Sequence, residues 1–291
     1  MRREPKLKRL LLIALSLTIV GCSSLPIVDA PSANQNGRVN FLILHFTSET
    51  FAESLRLLTQ RTDWPVSSHY LIPEGGDETY PSDAIKVYRL VDEGRRAWHA
   101  GVSHWGDHHT LNDQSIGIEI VNQSRCVNHG PDGSVSKPEE QTCNYLPYGE
   151  EQIDLLISLV TGILERHPDI DPVDVIGHAD IASARRVDPG PEFPWQMLHE
   201  HGIGAWYNND AVTRYRYQFS AGLPDIVDIQ AALRTYGYGI DVTGVYDVQT
   251  QFAVRAFQMH FRPSGYTGAI DAETVAILYA LIDKYRAPDA N

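Results

Sequence analysis

Residues 175–195, VIGHADIASARRVDPGPEFPW, place an imidazole at the end of an apolar run and a carboxylate ten residues on. His178 closes an apolar run, and a β-branched run ending in His reads as a buried strand that delivers a ligand at its tip. Asp188 follows just before Pro189-Gly190-Pro191, which fixes the chain direction there and restricts where the carboxylate can go. One His and one Asp do not make a metal site; they need a third ligand and an open position. The run Val39–Leu44 is again strand-like and ends in His45. Two His and one Asp suit Zn²⁺, with bonds of about 2.0–2.2 Å and a fourth place left for water. The run Ser115–Val121 carries a single carboxylate, Glu119, inside an otherwise apolar strand. An unligated carboxylate there is free for proton transfer.

Each of these residues also has a plain structural reading. The chain has 12 His, so most are not ligands. His45 or His178 alone reads as a core imidazole satisfied by hydrogen bonds. His69 alternates on a strand and reads as a hydrogen-bonded core residue or one that supports the site. Asp180, two residues beyond His178, is a competing carboxylate that could orient an imidazole. Asn112 and Asp113 read as turn formers, and His199, His201 and His260 have no partners nearby in the sequence.

Taken together, His45 in LILHFTSE, WHAG at 98–101, LNDQSIGIEI at 111–120 and GHADIA…DPGPEFPW at 177–195 resemble zinc-dependent N-acetylmuramoyl-L-alanine amidases of the amidase-2 family. The likeness is strongest to its bacterial lipoprotein branch and covers about residues 39–206. It implies cleavage of the amide between the muramic acid lactyl group and L-alanine in peptidoglycan. It implies His45, His178 and Asp188 as Zn²⁺ ligands and Glu119 as the acid/base. It places Arg186 where the family carries a basic residue, often Lys, that steadies the oxyanion; Arg keeps the charge but is bulkier. It puts Trp98, His99 and Ala100 on the substrate groove. The rival reading is a peptidoglycan-recognition protein of the same fold that binds without cutting. Loss of a ligand or of the acid/base would mark that class, and this chain keeps all four residues.

The elements that must position these groups follow from pattern. Strand-like and helix-like segments alternate over 39–206, which predicts an α/β domain around a mixed sheet flanked by helices. Ser48 is placed to cap a helix with Phe51, Leu55 and Leu58 on its apolar face. A longer helix spans 149–166, with Ile153, Leu156, Ile157, Val160, Ile163 and Leu164 at helical spacing, and His167-Pro168 ends it. Residues 207–223 read as a linker or wrap-around segment. Over 224–288 the pattern predicts helices only, at about 225–236, 247–261 and 271–285, with Asp247 and Asp271 at N-cap positions. This part resembles the type 1 peptidoglycan-binding module, a small three-helix bundle; a purely structural bundle is the alternative.

The chain opens with Arg2, Arg3, Lys6, Lys8 and Arg9, then an apolar stretch of eleven residues, Leu10–Val20. That is well short of the roughly 20 residues that span a bilayer, so residues 1–21 read as a cleaved leader. Ile19-Val20-Gly21-Cys22 resembles a lipobox, which makes Cys22 the lipidated N-terminus and 22–38 a polar tether. Acyl chains would then hold a periplasmic monomer to a membrane. Ser23, where an Asp would favour inner-membrane retention, points to the outer one. The formal net charge is −13, which argues against nucleic acid as a partner. Cys126 and Cys143 flank a polar Gly/Pro-containing insert, and in an exported protein they are expected to form a disulfide.

Overall fold

The computed structural model describes residues 25, 27–130 and 135–287. The leader and Cys22 lie outside the described residues. The chain divides into two units, Met1–Asn36 and Gly37–Asn291; the described residues of the first contain no helix or strand.

The second unit is built on strands β1 (Phe41–Phe46), β2 (Tyr70–Ile72), β3 (Tyr88–Arg89), β4 (His104–Trp105), β5 (His108–His109), β6 (Ser115–Ile120), β7 (Arg125–Asn128), β8 (Gln141–Asn144) and β9 (Val175–Gly177). Five of them form the central sheet in the order β3-β2-β6-β1-β9. β2, β6, β1 and β9 run parallel, and β3 is an antiparallel edge. The near-continuous apolar runs of β1 and β6 follow from this position, because inner parallel strands are covered on both faces. The register sets His45 beside Glu119 and Leu44 beside Gly177. Both chemical side chains therefore leave the sheet at the carboxyl ends of its strands, where open α/β sheets bind ligands. β7 and β8 form a separate hairpin in which Cys126 and Cys143 are paired and disulfide-bonded.

The helices are α1 (Phe51–Thr59), α2 (Glu150–Arg166), α3 (His178–Ile181), α4 (Trp195–Glu200), α5 (Asn209–Gln218), α6 (Ile226–Tyr236), α7 (Val248–Phe261) and α8 (Ala272–Tyr285). In α2, Ile153, Leu156, Val160 and Ile163 are buried, one stripe at the predicted spacing. Asp247 accepts from the Thr250 amide and Asp271 from the Thr274 amide, so α7 and α8 are capped as the pattern predicts. α1 differs from expectation. Ser48 sits at φ +58 and does not cap it; Asp77 Oδ2 takes the Phe51 amide at 2.6 Å and Thr79 Oγ1 the Ala52 amide at 3.0 Å. A cap supplied from 26 residues away leaves no local signal. Within 207–223 the structure has α5, which packs on α8 through Arg214 and Tyr215 to Asp283. Its polar sequence buries only Val212, too little apolar periodicity to read as a helix.

One hydrophobic core runs from the sheet into the C-terminal helices. Trp105, 1 % exposed, joins them. Its ring meets Tyr236 and Tyr238 edge to face, and its Nε1 donates to the Val173 carbonyl. The Gly106 amide bonds the Gly237 carbonyl at 2.8 Å. None of the described helices is long and apolar enough to cross a membrane.

Candidate metal centre

His45 is the fifth residue of β1, and His178 is the first residue after β9. β9 turns directly into α3, which places the His178 ring over the strand ends. Gly177 permits this, because a Cβ there would come within 2.6 Å of Pro189. Asp188 precedes Pro189 through a cis peptide and is 6 % exposed. Its carbonyl accepts from the Ala179 amide at 2.8 Å, so the two ligand-bearing segments are tied by backbone.

The three donor atoms converge. His45 Nδ1 lies 3.0 Å from His178 Nδ1 and 2.9 Å from Asp188 Oδ2, and His178 Nδ1 lies 3.1 Å from that same oxygen. Two imidazole nitrogens and a carboxylate oxygen facing one another in a triangle could hold a metal ion. A tetrahedral ion with bonds of about 2.0–2.2 Å needs ligand atoms roughly 3.3–3.6 Å apart, so the donor set suits one and its 2.9–3.1 Å spacing would open by a few tenths of an ångström around it. Asp180 is not among the three.

The outer nitrogens decide which tautomers serve. His178 Nε2 lies 3.2 Å from the Ala100 carbonyl, a pure acceptor, so Nε2 carries the proton and Nδ1 is left bare. The Arg185 guanidinium donates to the same carbonyl at 3.0 Å and to that of Val102 at 2.9 Å. His45 Nε2 faces His99 Nδ1 at 3.0 Å; His99 Nε2 faces Ser115 Oγ at 3.2 Å; Ser115 donates to the Leu111 carbonyl at 2.7 Å. Reading back from that carbonyl, Ser115 accepts from His99 Nε2–H, and His99 Nδ1 accepts from His45 Nε2–H. His45 Nδ1 is then bare as well. Partners of this kind fix ring orientation and tautomer in metal sites. His69 supports the row: its Nδ1 accepts from the Gly117 amide and its Nε2 donates to the Arg95 carbonyl.

A cavity of about 270 Å³ opens over this centre, lined by His45, His99, Glu119, His178, Arg186 and Asp188 on the polar side and by Leu57, Leu58 and Val66 on the apolar side. Burial lowers the pKa of His45 to about 4, with the neighbouring His178 adding to the effect and Asp188 opposing it. Burial also drives His99 well below the ordinary imidazole value. Both rings are therefore held neutral, the form that ligates. Burial alone would raise Asp188, but the two imidazoles that face it hold it well below the usual carboxylate range, in its anionic form. Glu119 goes the other way: burial, then the Asp188 charge, push it well above its ordinary value, while Arg186 pulls it down. Two carboxylates in one cavity are thus driven apart in pKa, Asp188 down and Glu119 up.

The other sequence candidates fall differently. His99 lines the cavity and touches His45. Ala100 is buried outside the lining and acts through its backbone, its carbonyl accepting from His178 and Arg185 and its amide donating to Asn112. Trp98 is half exposed and lies outside the lining. Sequence pattern missed Asn112, whose side-chain oxygen takes the His99 and Ala100 amides at 3.0 and 2.8 Å. It also missed Ser115 and Arg185. Their roles come from contacts across the fold, and only Asn112, next to a turn, carried a local signal.

Comparison with known proteins agrees with this geometry. The N-acetylmuramoyl-L-alanine amidase family matches residues 35–191, and a putative peptidoglycan binding domain matches residues 222–278. The chain is 39% identical over 251 residues to N-acetylmuramoyl-L-alanine amidase AmiD of Escherichia coli (strain K12), across 85% of this chain and 84% of AmiD. The crystal structure of AmpDh3 from Pseudomonas aeruginosa in complex with anhydromuramic pentapeptide matches with a TM-score of 0.80 at 44% identity, over 93% of this chain and 99% of that one. The complex of AmiD from E. coli with the substrate anhydro-N-acetylmuramic acid-L-Ala-D-γ-Glu-L-Lys gives 0.73 at 37% identity, over 88% and 93%.

Proposed function

The chain belongs to the amidase-2 family of N-acetylmuramoyl-L-alanine amidases, and from that premise we propose that it hydrolyses the muramoyl–L-alanine amide of peptidoglycan with a Zn²⁺ held by His45, His178 and Asp188. The observation that carries this is the triangle of three buried donor atoms, each 2.9–3.1 Å from the others, beside a fourth residue of opposite pKa tendency, Glu119.

Zn²⁺ held by His45, His178 and Asp188 would supply Lewis acidity, to the scissile carbonyl and to water, whose pKa it would lower toward about 7. The protein's own groups do the rest. The Glu119 carboxylate, raised well above its ordinary value by burial, accepts a proton from the attacking water. It then returns that proton to the departing amine of L-alanine. The Arg186 guanidinium, at the cavity wall, faces the carbonyl oxygen as it gains charge. Leu57, Leu58 and Val66 form the apolar wall that limits water on the opposite side. His99 acts through His45, and Trp98 offers a surface ring on which sugar or peptide packs.

The substrate includes the 1,6-anhydro form of the muramic acid, a reading supported by the anhydromuramic ligands of the two related complexes. Residues 39–206 form the amidase domain and 224–288 the wall-binding module, with 207–223 between them. The monomeric protein works in the periplasm, carried there by the leader and held to the outer membrane by lipid on Cys22.

The test is metal analysis joined to product analysis. Purified protein is expected to hold one zinc, to lose both zinc and stem-peptide release on treatment with a strong chelator, and to regain both with added Zn²⁺. His178→Ala should bind none. Full cleavage of defined muropeptides by metal-free protein would overturn the reading. Muropeptides bound but left uncut by zinc-loaded protein would favour the non-catalytic alternative.

A further inference from the structure

Asp180 is a buried carboxylate, 4 % exposed, that the proposed mechanism does not use. It sits in α3, two residues after His178, and accepts three hydrogen bonds. The first comes from its own segment: the Gly177 amide, immediately before the ligand, donates to Oδ2 at 2.8 Å. The other two come from the C-terminal helices. Tyr238, just after α6, donates its hydroxyl to Oδ1 at 2.6 Å, and His260 of α7 lies with Nδ1 2.8 Å from Oδ2. Both are almost fully enclosed, Tyr238 at 1 % exposure and His260 at 4 %. The His260 ring is further clamped by stacking on Trp195 at 3.8 Å and on Phe261 at 3.9 Å between centroids.

A carboxylate offers about four lone-pair sites, and a buried charge is costly unless they are filled. Without the helical segment, Asp180 would keep one donor from the described residues and lose two. The segment it organises is the metal centre's own backbone. α3 begins with the ligand His178, Asp180 holds the amide before it, and the Ala179 amide holds the carbonyl of the ligand Asp188. Any shift of α3 moves two ligands at once.

We infer that Tyr238 and His260 are positioning residues of the amidase, acting through Asp180 to hold His178 and Asp188 in ligating geometry. The peptidoglycan-binding segment is then a working part of the catalytic centre as well as a module that attaches to the wall. The inference rests on the zinc reading above. It goes further in assigning to the 222–278 segment a role that can be read without any wall polymer present.

The experiment uses the full chain. Zn²⁺ affinity is measured by chelator competition for wild type, Tyr238→Phe, His260→Ala and His260→Asn. The visible spectrum of the Co²⁺-substituted proteins reports ligand geometry. kcat and KM are measured on a small soluble muropeptide. Gln230→Ala serves as the control, since Gln230 is buried in the same bundle but bonds Thr243, Val245 and Thr250 instead. Tyr238→Phe and His260→Ala are expected to weaken Zn²⁺ roughly 10–100-fold, the range for outer partners of metal ligands. They should also shift the Co²⁺ bands and lower kcat with KM nearly unchanged. His260→Asn, which keeps a donor near the Nδ1 position, should recover much of the loss. Gln230→Ala should lower melting temperature without changing Zn²⁺ affinity or the Co²⁺ spectrum.

Unchanged affinity and spectra in Tyr238→Phe and His260→Ala would overturn the inference. So would equal weakening in Gln230→Ala, which would make the effect one of general stability. A wild-type chain that binds neither metal would instead remove the zinc reading itself, and the inference with it.

Discussion

Gly117 lies directly against the His99 ring: a Cβ there would come within 2.5 Å of the imidazole Cγ and Nδ1. The missing side chain is what lets His99 stand beside His45. Gly117→Ala should therefore push the ring away and break the proton order that leaves His45 Nδ1 bare. We predict that Gly117→Ala and His99→Ala each weaken Zn²⁺ binding about tenfold or more, within the 10–100-fold range for such partners. Competition with a metal indicator measures this. Wild-type affinity in His99→Ala would show that His45 keeps its ligating tautomer unaided.

Glu119 is held apart from the three converging donors and has its pKa raised by burial. Glu119→Gln should keep one zinc per chain and lose roughly 10²–10⁴-fold in turnover, the range for general acid–base groups. Metal content and single-turnover rates check the two halves separately. If zinc is retained and turnover stays near normal, proton transfer belongs to another group.

The buried imidazoles set an acid limit on the metal-free protein. His45 falls from an ordinary 6.5 to about 4 in the folded state, and His99 is depressed as well. The unfolded chain thus binds more protons than the folded one between those values, so stability rises with pH across that window. It is fully present above about pH 6.5 and is lost as pH falls toward 4. The shift of His45 corresponds to on the order of 3 kcal/mol. Urea unfolding of metal-free protein from pH 7.5 to 4.5 should show the slope, and His45→Asn should flatten it. Glu119, raised by burial, contributes the opposite slope over part of the same window, so the reading is the difference between the two proteins: identical slopes in wild type and His45→Asn would contradict the assignment.

Cys22→Ser should leave zinc binding and soluble-muropeptide cleavage intact while releasing the protein from membranes. Two or more acyl chains give stable residence and one is marginal, so fractionation should change almost completely. Sedimentation of Cys22→Ser protein with membranes after a salt wash would mean that something other than lipid holds it.

The three converging donors were legible because each stands at the end of an apolar run or before a Pro-Gly-Pro stop, and such positions are local facts of sequence. The helix stripe of α2 and the Asp caps of α7 and α8 were legible for the same reason. What escaped was supplied from afar. Asp77 caps α1 across 26 residues, Arg185 reaches Ala100 across 85, and His260 meets Asp180 across 80. His260 read as a residue without partners because its partner belongs to another part of the fold. α5 escaped because it buries almost nothing and is held by the polar contacts of Arg214 and Tyr215 to Asp283.

The distance along the chain between His45 and His178, 133 residues, also fixes when the metal can arrive. Small zinc domains draw their ligands from a short segment, and the ion can organise the chain as it folds. Here the ligand triangle closes only when β9 has docked beside β1, a parallel pairing of long sequence separation that forms slowly. On the zinc reading proposed above, loading follows completion of the sheet. The fold would then stand before the metal does, and activity would follow metal supply.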